Sequence, residues 1–89
     1  MQHLDWRDLR VALALAKHGS LGEAGRVLRL DATTISRRIS GLEEATGAAL
    51  FIRDADGWRP TETGRRVVEA AERMAHEVRA LARDLDAAS

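Results

Sequence analysis

The fold this sequence predicts is a mostly α winged helix-turn-helix: three helices and a short two-stranded wing, followed by a long C-terminal linker or dimerisation helix. Three observations predict it. Two helix starts stand eleven positions apart, at Ser20 and Asp31, leaving room for one short helix and almost no loop; helices joined this tightly cross at a steep angle. Two short strand-like runs lie between Leu50 and Pro60. After them comes an uninterrupted helical pattern with apolar residues at positions 67, 71, 74, 78, 81 and 85. The implied division is residues 1–60 for the helix-turn-helix with its wing and 61–89 for the terminal helix.

The first helix is predicted over Trp6 to His18, with Asp5 as its cap and Gly19 as its stop. Trp6, Leu9, Leu13 and Ala16 fall at helical spacing and are expected to face inward. The second helix covers Leu21 to Leu28, opened by Ser20 and Glu23 as a capping box. Ala24 and Gly25 are small where a crossing element approaches, and Val27, Leu28 and Leu30 supply the apolar side. The third helix runs from Ala32 to about Ala45, with Asp31 as cap, Gly47 as stop, and Ile35, Ile39 and Leu42 as its buried stripe. At roughly 100° per residue, Thr33, Arg37, Ser40 and Glu44 then lie on the opposite face, with Ser36 on its flank.

Phe51-Ile52-Arg53 and Trp58-Arg59-Pro60 read as two strands around an Asp56-Gly57 turn. A lone two-stranded ribbon is marginal in water, so Phe51 and Trp58 are expected to dock on the helices. Thr61 caps the last helix, which continues from Glu62 to about Ala87. Val67, Ala71, Met74, Val78, Leu81 and Leu85 are spaced 4, 3, 4, 3, 4, a heptad seam. The distal half of so long a helix has too little domain to lean on. The seam therefore predicts a homodimer, and truncation after Gly64 is expected to leave a monomer. From Glu77 onward the segment reads equally as a linker.

Composition narrows the function. Eighty-nine residues at 45% hydrophobic content make one small domain, and the absence of Cys excludes disulfides and thiolate zinc sites. His3, His18 and His76 are scattered without ligand spacing and read as surface residues, so no metal and no cofactor are expected. Ser, His and Asp occur without any nucleophile elbow, and no catalytic role is expected. The longest apolar run, Val11 to Ala16, is too short for a membrane span, and Met-Gln-His-Leu-Asp lacks the features of a signal peptide. The expectation is a soluble, cytoplasmic, nucleoid-associated protein with no membrane partner. Fourteen basic residues balance fourteen acidic ones, but not evenly along the chain. Arg26, Arg29, Arg37 and Arg38 face only Asp31 in their segment, while acids gather in the last helix and at Glu43 and Glu44. A local basic face on a neutral chain suits contact with double-stranded DNA, the second helix of such a pair entering the major groove.

The sequence resembles the N-terminal DNA-binding domain of LysR-type transcriptional regulators over nearly its whole length. The resemblance rests on Leu9, Gly19-Ser20-Leu21, Ala24-Gly25 and Leu28, then on Ser36-Arg37-Arg38-Ile39, Leu42-Glu43, Gly47, Leu50-Phe51 and Arg53 without a gap, and on Pro60-Thr61-Glu62-Thr63-Gly64. It implies a dimeric winged helix-turn-helix on interrupted palindromes, part of a regulator whose effector, a small molecule, binds a larger C-terminal domain missing from this chain. Two departures stand out. Where the family commonly has Ser-Gln-Pro, this chain has Asp31-Ala32-Thr33, and the wing tip, often basic in the family, is Asp54-Ala55-Asp56-Gly57.

The candidate DNA-binding residues follow. Arg37 is the leading base or phosphate contact, with Thr33, Ser36 and Ser40 beside it on the outward face. Ala32 offers only a methyl to thymine, and Thr34 with Thr33 supplies a hydroxyl and a methyl in place of the missing amide. Arg38 borders the buried stripe and either meets a phosphate or lies over the core. Ser20 and Thr61 are caps whose organised N–H groups also suit phosphate. With two carboxylates at the tip, the wing's backbone contacts fall to Arg53 and Arg59 at its stems. The second function that fits is a winged-helix protein-interaction or dimerisation module with reduced DNA binding, working through the last helix.

Overall fold

The computed structural model describes residues 4–88, so His3 and the two ends of the predicted division lie outside the described residues. Helices α1 (Trp6–His18), α2 (Leu21–Leu28) and α3 (Ala32–Thr46) precede a hairpin, β1 (Phe51–Asp54) with β2 (Gly57–Pro60), and α4 (Glu62–Ala88) closes the chain. Each of the first three helices begins on the expected cap: the Asp5, Ser20 and Asp31 side chains accept from the backbone N–H of Arg7, Glu23 and Thr34 respectively. Half of the capping box forms, because Glu23 turns its carboxylate to Arg26, 3.0 Å away. α2 ends on Arg29 in the left-handed conformation (φ 60°), and the Gly25 carbonyl oxygen accepts the N–H of both Arg29 and Leu30 there. A Cβ at position 25 would overlap the Leu30 carbonyl oxygen, which is why the turn between α2 and α3 needs glycine at that point.

The core joins all four helices and the hairpin. Leu15, Ile35, Leu42, Leu50 and Val11 are its largest fully buried side chains, each contributing about 1.5–3 kcal/mol of hydrophobic stabilisation. Ile35, Ile39 and Leu42 face inward as the α3 pattern requires. The centre of α1 is rotated from the expected stripe: Leu9 is buried, but Trp6, Leu13 and Ala16 are only partly so, and Val11, Ala12, Ala14 and Leu15 fill the interior. α1 is covered from several sides, by α2, α3 and α4, so a single stripe does not describe it. Val27 also departs from expectation, standing 47% exposed on the outer side of α2.

The hairpin pairs Phe51 with Pro60, Ile52 with Arg59, Arg53 with Trp58 and Asp54 with Gly57. Its two-residue turn is therefore Ala55-Asp56, one position earlier than the Asp56-Gly57 turn expected. Asp54 decides this by accepting the Asp56 N–H at 2.9 Å. Gly57 (φ 115°) lies so close to α1 that a Cβ there would sit 2.5 Å from the Gly19 carbonyl oxygen, which also accepts the Trp58 N–H at 2.8 Å. Strand alternation sends Phe51 and Trp58 to the helix side, where Phe51 is buried and Trp58 packs against the core. Ile52, Asp54 and Arg59 share the outer side and are exposed.

Thr61 starts α4 by accepting the Gly64 N–H while its hydroxyl donates to the Ala49 carbonyl. Gly64 is buried, and a Cβ on it would overlap the Leu50 carbonyl oxygen. The predicted seam divides here. Ala71 is 0% exposed and is spent inside the domain, and Val67, half-buried, packs on the core. Val68, which the heptad reading omitted, is buried beside them. The physical reason is that α1 lies along the first half of α4 and covers it. Beyond it Met74, Val78, Leu81 and Leu85 stand 40%, 54%, 58% and 62% exposed. The first half of α4 thus shares the core with residues before position 61, and truncation after Gly64 removes part of the interior. Among the described residues no helix is long and apolar enough to cross a membrane.

Candidate nucleic-acid interface

α3 presents its outer side because its inner side is fully committed. With Ile35, Ile39 and Leu42 buried, Ala32, Thr33, Ser36, Arg37 and Ser40 are all exposed, and Thr34 is half-buried. Ala32, Thr33, Ser36 and Arg37 line a shallow depression together with Leu21 from the first turn of α2. The start of α2, organised by the Ser20 hydroxyl 3.1 Å from the Glu23 nitrogen, is therefore next to the outer side of α3.

The front of α3 carries one carboxylate. Asp31 Oδ1 accepts the Thr34 N–H at 2.7 Å. Hydrogen bonding from the Thr34 backbone, then from its hydroxyl, with a smaller contribution from the Arg37 charge, holds the Asp31 carboxyl below the usual carboxylate range. Because the folded-state value is depressed, the stabilisation is present above the unfolded-state value and is lost as pH falls through the folded one. Asp31→Asn keeps a capping oxygen and removes the titration. Its thermal midpoint, followed by circular dichroism, is expected to fall less than that of the native chain between about pH 5 and pH 2. Identical acid limbs would remove Asp31 from the acid response.

The cations near this face differ in how free they are. Arg37, Arg29 and Arg53 make no ion pair among the described residues. Arg53 instead lies over the Trp58 ring, 5.8 Å from its centroid. Arg38 is half-buried and reaches back to Asp8 of α1 at 3.4 Å. Arg59 is held by Asp54 across the wing at 2.5 Å. Arg26 is paired with Glu23. Of the residues singled out in the sequence, Ala32, Thr33, Ser36, Arg37 and Ser40 come together on one surface; Thr61 is occupied as a cap at the base of the wing. Sequence reasoning missed Asp8, whose pairing with a residue thirty positions away has no local signal. It also missed the twofold engagement of Asp54, which the Asp-x-Asp-Gly pattern at the turn does hint at. Among the described residues no group of three or more His, Cys, Asp or Glu side chains is placed to hold a metal ion.

Comparison with known proteins agrees with this arrangement. Residues 6–65 match the family described as bacterial regulatory helix-turn-helix protein, lysR family. The small neutral protease regulatory protein of Streptomyces coelicolor is 37% identical over 86 residues, covering 97% of this chain and 26% of the relative. The Mau operon transcriptional activator of Paracoccus denitrificans is 36% identical over 84 residues, covering 93% of this chain and 29% of the relative. The chain thus spans about a quarter of the length of these relatives, which are named as regulators and not as enzymes. Among solved structures, the CbnR DNA-binding domain in complex with DNA superposes with a TM-score of 0.80 at 28% identity, covering 97% of this chain and 100% of that one. Full-length LysG from Corynebacterium glutamicum with bound effector Arg gives 0.87 at 25% identity, covering 94% of this chain and 29% of that one. A helix-turn-helix with an open polar face on its second helix, a docked hairpin and these relationships together place the chain in the LysR family of transcriptional regulators, as a DNA-binding domain of that family.

Proposed function

We propose that this domain binds double-stranded DNA sequence-specifically, with α3 in the major groove, the wing on the flanking backbone or minor groove, and two copies on an interrupted palindrome. The observation that carries the proposal is the outer side of α3, where Thr33, Arg37 and Ser40 are exposed opposite a buried stripe and Ser36 is exposed on their flank. A helix whose apolar side is anchored this way offers short polar side chains and one unpaired guanidinium to base edges without mobile bulk. Ala32 contributes a methyl for thymine, and the N–H groups at the starts of α2 and α4, behind Ser20 and Thr61, supply phosphate positions. Arg53, over the Trp58 ring and with no ion pair among the described residues, is the wing's available cation. Arg38 supports α3 through Asp8 and, still about a third exposed, borders the contact surface as a phosphate candidate.

The pairing surface in this proposal is the exposed row Met74, Val78, Leu81 and Leu85, continued by the groove between α1 and α4 that Leu13, Ala16 and Ala75 line. In this reading a small-molecule effector acts through a domain other than this one. The alternative, a protein-interaction module with reduced DNA binding, draws on the missing amide at Ala32 and on the acidic wing tip with Asp54 and Asp56.

Selection of bound sites from a random duplex library tests both readings. A two-fold symmetric consensus is expected, with affinity that falls steeply as salt rises because phosphate contacts release counterions. Recovery of no enriched sequence, with a flat response to salt, would favour the interaction module.

A further inference from the structure

One of the wing's two stem cations is paired within the wing itself. Asp54 uses both carboxylate oxygens: Oδ1 accepts the Asp56 N–H at 2.9 Å, and Oδ2 meets the Arg59 guanidinium at 2.5 Å. The strand register explains the reach. Ile52 is paired with Arg59 and Asp54 with Gly57, so Asp54 and Arg59 lie on the same outer side of the hairpin, with no side chain at Gly57 to separate them. A carboxylate and a phosphate present the same fork of oxygens to a guanidinium, and each engages it at the expense of the other. The Arg59 and Asp54 side chains remain 60% and 34% exposed, so the pair is open to exchange and is not locked in the interior. The other stem cation, Arg53, has no such partner and lies over Trp58 instead.

We propose that Asp54 is an affinity-limiting residue of the wing: it stands in for a phosphate on Arg59 and so withholds one backbone contact from the protein–DNA interface. The inference deepens the DNA-binding reading above and rests on it. A domain with no net charge that also neutralises a wing cation relies on the α3 surface for its affinity, and its sequence-independent attraction is kept low. Asp54→Asn is the informative variant. Asn retains the oxygen that accepts the Asp56 N–H and is at home in such a turn, while its amide gives up the charge that holds Arg59.

Equilibrium binding to a duplex carrying the selected consensus, and to a duplex of unrelated sequence, is measured for the native chain, D54N, D56N, R59A and D54N/R59A across a salt series. D54N is expected to bind both duplexes more tightly, with a salt slope steeper by about 0.9, the value for one added phosphate contact. Its advantage over the native chain is then about threefold larger at ~50 mM than at ~200 mM salt. R59A alone is expected to change little, and D54N/R59A to lose the gain. D56N removes an equal charge without touching Arg59 and is expected to leave the slope near the native one. Thermal unfolding confirms that the variants are folded. An unchanged or weaker D54N, an equal gain in D56N, or a gain that survives without Arg59 would each overturn the inference while leaving DNA binding intact. Failure of the native chain to bind either duplex would overturn the underlying reading as well.

Discussion

Arg37→Ala is expected to weaken binding to the selected consensus duplex by about 1–3 kcal/mol, the range for loss of a side chain that reads a base edge. Three structural features converge on this residue. Its guanidinium is exposed on α3 and makes no ion pair among the described residues. Its helix is pinned from below by Ile35, Ile39 and Leu42 and at its start by Asp31, so the side chain is presented from a rigid base. Its neighbour Arg38 provides an internal comparison, being half-buried and paired with Asp8. A fluorescence anisotropy titration with the consensus duplex and an unrelated duplex separates the possible roles. Loss confined to the consensus marks a base reader, whereas equal loss on both, with a salt slope smaller by about one, marks a phosphate contact. An unchanged affinity on both duplexes would remove Arg37 from the interface. Arg37→Lys retains the charge but not the planar fork, and is expected to recover the non-specific part only.

The second large effect concerns where α4 is cut. A chain ending after Gly64 lacks Val68 and Ala71, which are 8% and 0% exposed in the core. It is expected to lose cooperative folding, since interior side chains are worth about 1.5–3 kcal/mol each against a typical total of only about 5–15 kcal/mol. A chain ending after Ala75 keeps the whole interior and removes Val78, Leu81 and Leu85. That chain is expected to unfold cooperatively yet to be monomeric by light scattering, and to bind the palindrome much more weakly than the longer form. A folded chain after the cut at Gly64 would show that the first half of α4 is dispensable to the core. A chain cut after Ala75 that still dimerises would place the interface elsewhere.

Much of the architecture was legible in the sequence because local chemistry sets it. Asp5, Ser20 and Asp31 each satisfy a helix's first N–H groups by their own side chains, and Gly19 and Gly47 stop helices by taking up left-handed conformations. Such devices act within a few residues and need no tertiary context. The α3 stripe was legible for a related reason: α3 buries a single side, so a period of 3.6 residues describes it. α1 is enclosed by several neighbours, and there one stripe caught Leu9 with Trp6, Leu13 and Ala16 at the edge of the core while passing over Val11, Ala12 and Leu15 at its centre. The turn slipped by one residue because Asp54, rather than the Asp-Gly pair, closes it.

By itself, then, the sequence determined the helices with their caps and stops, the hairpin segment, and the polar side of α3, all of which depend on spacings along the chain. Only the tertiary structure decided which members of the apolar row in α4 are spent inside the domain, because that depends on α1 lying against its first half. It alone also decided which arginines are free. Arg37 and Arg53 make no ion pair among the described residues, while Arg38 and Arg59 are held by Asp8 and Asp54, and charge pairing follows distance in space rather than separation in sequence.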